Sequence, residues 1–133
     1  IYEAGANWRG LADARHNRGV AALCQGDSQG AIREFNHSSE AAASAEERDL
    51  AAQTIFNMAV AHAQAGSADL ARRACQAARA EFAHLADTDG TRRTQELLEL
   101  IPLVNEADPG EKLLALAYPM RTRLTYQAAR MSA

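Results

Sequence analysis

The chain has 133 residues, 47% of them hydrophobic and 23% charged, with a net charge of −3 and an isoelectric point near 5.8. That length suits one domain of ordinary size, and the mildly acidic balance argues against a nucleic-acid binder, which presents a basic face and a high isoelectric point. No stretch of about 18 apolar residues exists, which argues against a membrane-spanning helix.

Much of the apolar content is alanine, which lets helices approach closely but buries little area per residue. The chain holds only 3 prolines, and its Ala/Leu/Arg/Glu/Gln stretches favour helix. β-branched residues nowhere alternate over the length of a strand, so the expected class is all-α. Cys24 and Cys75 lack metal or redox spacing, and a reducing, cytoplasmic setting is the simpler expectation. Opening on Ile1, the chain reads as a processed product or an excised piece that could have lost a signal peptide.

In chain order, residues 1–10 form a weak lead-in around Trp8, and a first helix is expected from about Leu11 to Gln25. Gly26 suits the left-handed residue that ends a helix, and Asp27 or Ser28 can cap the next. A second helix runs from Gln29 to about Ala43. Ser44 then caps a third, with Glu46 and Glu47 in its first turn, ending at Ala65. Gly66-Ser67 repeats the turn before a fourth helix, Ala68 to about Leu85. After Asp87-Thr88-Asp89-Gly90, a fifth is expected from about Thr91 to Glu106, spanning Pro102. Asp108-Pro109-Gly110 opens a sixth, which Pro119 should kink or divide near Tyr118.

The informative feature is a repeat. Asn17, Gly19, Ala21, Gly26 and Ala31 recur forty positions on as Asn57, Ala59, Ala61, Gly66 and Ala71. A fixed offset carrying small residues and a glycine turn marks stacked helical hairpins. The pattern resembles the tetratricopeptide repeat. The first copy, about 11–44, has Asn17 and Gly19 on helix A, Gly26-Asp27 in the turn, then Ala31-Ile32 and Phe35 on helix B. The second, about 51–85, has Asn57, Met58 and Ala59, then Gly66-Ser67, then Ala71 and Ala78. Arg15, Arg18, Ala22 and Ser38 depart from the family pattern, and the repeat is six residues over the usual 34, which places extra helix around Ser44. Residues 91–131 read as a degenerate third hairpin or capping pair, so the whole chain is one stack.

The resemblance implies a protein-binding adaptor or scaffold whose concave wall, built of A helices, takes an extended peptide or a partner helix. The matching positions are Asp13, His16, Asn17, Val20 and Leu23, and then Gln53, Phe56, Asn57, Val60 and Gln64. Either asparagine could bond a peptide backbone, because a side-chain amide both donates and accepts. Phe56, Val60 and Leu23 are the candidate apolar anchors, with Phe56 expected to serve binding rather than the core. A clamp for a terminal carboxylate lacks its lysines, for which Arg92 and Arg93 are the nearest substitutes.

The histidines 16, 37, 62 and 84 have no metal-ligand spacing, and nothing suggests catalysis, so no metal, no cofactor and no enzymatic activity are expected. The apolar stripe Leu97–Leu116 either caps the stack or offers a face for self-association. Two other readings stay open: a regulatory domain that senses a peptide ligand, and a non-catalytic subunit of a larger assembly.

Overall fold

The structure is a computed structural model in which residues 4–103 and 110–121 are described, with side chains from Trp8 onward. It is all-α. Helices α1 (Ala4–Cys24), α2 (Ser28–Ser44), α3 (Arg48–Gln64), α4 (Ala68–His84) and α5 (Thr88–Leu100) follow one another as antiparallel hairpins. A 3-10 turn (Ile101–Leu103) and a short α6 (Gly110–Leu116) complete the described elements. Each helix packs on the next, so α1, α3 and α5 are the A helices of the stack and α2 and α4 the B helices.

All four joints between α1 and α5 are built alike. Gly26, Glu46, Gly66 and Ala86 each have positive φ, and each is bracketed by the same pair of backbone bonds. In the first joint the Gly26 N–H donates to the Leu23 carbonyl at 3.1 Å and the Asp27 N–H to the Ala22 carbonyl at 2.9 Å. This double closure satisfies carbonyls that a helix end otherwise strands. Asp27 and Asp87 then accept from the amides of Gly30 and Gly90, both at 2.9 Å, and start the next helix.

The joint at 45–47 corrects one expectation. Ser44 does not cap a helix; it ends α2, and Glu47 is the N-cap of α3 without a side-chain bond. The added repeat length is therefore two full 17-residue helices with an ordinary turn between them. Glu46 adopts the left-handed conformation with no glycine to signal it. Four further boundaries move. α1 begins at Ala4, ahead of the expected Leu11. α5 begins at Thr88, where Asp87 caps it, and stops at Leu100 because Pro102 tightens the chain into the 3-10 turn. α6 ends at Leu116, since the residue before a proline resists the helical region and Tyr118 precedes Pro119. Pro109 and the segment 104–109 lie outside the described residues.

The packing follows the small residues. Gly19 lies on Phe35, and a Cβ there would come within 3.0 Å of three atoms of that ring. Gly90 stands in the same relation to Phe82. Ala31, Ala59, Ala71 and Cys75 are fully buried around these contacts, and burial pushes the Cys75 thiol up to about 12, so it packs as an inert hydrophobe. Leu97, Ile101 and Leu113 of the apolar stripe are buried in the same core, which leaves Leu103 exposed at its end. α6 is not a third long B helix: it packs against α3 and α5, on the A-helix face. From there residues 118–121, outside any helix, run back across that face from α3 to α1 and present their backbone to it.

Candidate functional site

The A-helix face carries two asparagines at equivalent positions, and both are committed to peptide backbone. Asn57, fully buried on α3, donates from Nδ2 to the Tyr118 carbonyl at 2.9 Å and accepts the Tyr118 N–H on Oδ1 at 2.7 Å. Asn17, half-buried on α1, does the same to Arg121, with both bonds at 2.6 Å. One amide thus satisfies the donor and the acceptor of one extended residue, as a neighbouring strand would. Residues three apart in an extended chain lie about 10 Å apart, the scale on which packed helices are spaced. That match lets two asparagines on A helices of successive hairpins engage residues i and i+3 of one strand.

His16 fills the interval. Its Nε2 lies 3.0 Å from the Pro119 carbonyl and its Nδ1 3.0 Å from Thr54 Oγ1. A carbonyl only accepts, so Nε2 carries the proton; in the neutral ring Nδ1 is then an acceptor and the Thr54 hydroxyl donates to it. Burial, the largest influence, depresses the imidazole pKa from its ordinary 6.5; Arg121 depresses it further, while the Pro119 bond and Asp13 oppose. Burial thus favours the neutral ring, and both bonds are made in that state. Pro119 has no N–H to satisfy, and none is asked of it.

The side chains of the strand are sorted by the same face. Tyr118 is buried between Phe56, an edge-on contact at 5.6 Å, and Phe82 at 6.1 Å. The Arg93 guanidinium covers the tyrosine ring at 4.3 Å and donates to the Leu116 carbonyl at 2.7 Å. Desolvation pushes the Tyr118 phenol up to about 12. Arg121 stands 3.6 Å from Asp13. Pro119 and Met120 face solvent.

The ten positions expected on this wall therefore divide. Asp13, His16, Asn17 and Asn57 meet the strand directly. Phe56 touches it through Tyr118, but it is fully buried and joins the core; it is not a free anchor. Leu23 and Val60 are core residues too, because the hairpins close over them. Val20 is partly buried against that core, and Gln53 is partly buried. Gln64 belongs to the hairpin joint: it donates to the Leu23 carbonyl at 3.0 Å and accepts from Ser28 Oγ at 2.6 Å. Arg92 is exposed and paired with Asp89 and Glu96, while Arg93 serves an aromatic ring and a carbonyl; neither is placed as a clamp for a carboxylate.

Sequence reasoning missed Tyr118, Arg121 and the role of Arg93. Pro119 signalled a kink or break of the sixth helix near Tyr118, but nothing local indicated the surface the chain would then cross. Among the described residues no helix is long and apolar enough to cross a membrane, and no group of three His, Cys, Asp or Glu side chains is placed to hold a metal ion. No family model matches the chain, and no curated protein or solved structure matches it either.

Proposed function

We propose that this chain is a protein-binding adaptor or scaffold domain whose A-helix face holds an extended peptide by its backbone. The observation that carries the reading is the pair of two-bond asparagine contacts, Asn57 with Tyr118 and Asn17 with Arg121. Such pairing is indifferent to side chains, so it is a general means of gripping a strand; the surrounding pockets then select among strands. The resemblance to tetratricopeptide repeats supports the same reading, since that family binds peptides on this wall. The polar groups of the face are spent on backbone pairing and ring orientation, an arrangement suited to recognition.

A second reading is favoured by one specific fact: the strand on the face belongs to the same chain. A peptide ligand that takes its place would release residues 118–121, which is how a peptide-sensing regulatory domain would register its ligand. The test for binding is panning of a random displayed-peptide library on the full chain, followed by addition of the enriched peptides to isotope-labelled protein. Side-chain amide resonances of Asn17 and Asn57 should shift. Enrichment of nothing, or peptides that leave both amides unmoved, would remove the reading. A change in radius of gyration on binding would favour the sensing form over the rigid adaptor.

A further inference from the structure

The occupied face also specifies which peptide it accepts. We infer that the partner is a peptide strand carrying an aromatic residue, then proline, then any residue, then a basic residue, and that it binds by displacing the chain's own 118–121 segment. This rests on the peptide-binding reading above and narrows it to one sequence class and one direction, aromatic end over α3 and basic end over α1.

Each position follows from a contact. The aromatic side chain enters the pocket formed by Phe56, Phe82 and Arg93, where Tyr118 is 7% exposed. Both its N–H and its carbonyl are held by Asn57. Proline suits the second position twice over: His16 asks only for a carbonyl, and a pyrrolidine ring fixes φ near the extended value while its side faces solvent. The third side chain, Met120 here, is 47% exposed, so that position is open to any residue. The fourth is basic because Asp13 faces it, and its backbone is held by Asn17.

The segment is built to leave. It is short, two of its four side chains are exposed, its one ion pair is long, and α1–α5 make their turns, caps and Gly19–Phe35 packing without it. A tethered occupant competes with an outside strand at high effective concentration, so an intermolecular ligand binds only the fraction of molecules whose face is open.

The probe is the fluorescein-labelled, amidated hexapeptide Leu-Ala-Tyr-Pro-Met-Arg, which copies residues 116–121, titrated by anisotropy into the full chain. Arg121→Glu sets a carboxylate against Asp13 and lifts the tethered strand at its exposed end, away from the core. The hexapeptide should bind that variant at least about tenfold tighter than the parent, because apparent affinity scales with the competent fraction. Tyr118→Ala should act in the same direction and serves as the second variant; circular dichroism on each confirms helicity.

Replacing the peptide's Tyr by Ser, or its Arg by Glu, should each weaken binding by about tenfold or more. Equal affinity of parent and variants would overturn displacement. Equal affinity of native and swapped peptides would overturn the motif while leaving backbone-mediated peptide binding intact. No binding of any hexapeptide by folded variants would overturn the inference, and the library panning then decides separately whether the broader reading survives.

Discussion

Replacing Asn57 by alanine tests whether the strand contact is structural or incidental. The substitution strands the N–H and the carbonyl of Tyr118 inside the fold, where Asn57 had satisfied both. A buried polar group left without its partner costs about 1–3 kcal/mol, so two of them give roughly 2–6 kcal/mol if the strand stays in place. The alternative is undocking, which exposes the Tyr118 side chain at about 1.5–3 kcal/mol and lets water take both backbone groups. Undocking is the cheaper course and sets the loss, so the variant should lose about 2–3 kcal/mol of stability, with much of its native population undocked. Asn17→Ala should cost less, about 0.5–1.5 kcal/mol, because that site is half-buried and water can replace the amide. Urea denaturation gives the stability loss, and amide hydrogen exchange at Tyr118 shows undocking directly. Parent-like stability together with a Tyr118 amide still protected in Asn57→Ala would refute the reasoning.

Gly19→Ala should destabilise by roughly 1–2 kcal/mol: overpacking against the fully buried Phe35 ring costs about 1–3 kcal/mol, and the alanine's helix propensity returns up to about 1 kcal/mol. Thermal melting reads this, and a melting point at or above the parent's would sink the close-contact argument. Ala86→Gly should stabilise by about 0.5–1 kcal/mol, since a left-handed alanine carries a steric cost that glycine lacks; Glu46→Gly should act likewise, both by urea midpoint. Acid should weaken the fold through His16 and His62, whose burial lowers their pKa values in the folded state from 6.5. The unfolded chain then binds more protons, so this contribution is fully present above about pH 6.5 and is lost as pH falls below it toward the lowered folded values. Urea midpoints measured at pH 7.5 and 5.5 should differ in that sense, and His16→Gln should flatten most of the difference.

The helices were legible because hydrophobic spacing, glycine turns and the forty-residue echo all reported the same hairpin. A small residue at Gly19 on the hairpin crossing and a cap at Asp27 or Ser28 could be read from residue type and offset alone. The joint at Glu46 could not: its left-handed backbone carries the same two closing bonds as the glycine joints, and no glycine or asparagine advertises it. On the candidate site, the equivalence of Asn17 and Asn57 and their fitness for backbone bonding were visible. The occupant was not, because Tyr118 and Arg121 lie more than a hundred positions from His16 and Asn17. For the same reason Phe56 read as an exposed anchor, when Tyr118 covers it.

That separation has a kinetic consequence. The joints at Gly26, Glu46, Gly66 and Ala86 close within a few residues along the chain, and such local contacts form early and cheaply in entropy. The bonds from Asn17 to Arg121 and from His16 to Pro119 span sequence separations of 104 and 103. Closing so long a loop gains nothing until its last few bonds are made. Refolding should therefore show a rapid rise in helicity, followed by a slower phase in which the Tyr118 and Arg121 amides gain protection. The opening of that final clasp would also be among the lowest-energy excursions of the native protein. A probe on Met120, exposed at the middle of the strand, would report the clasp opening and closing while the helices beneath it stay folded.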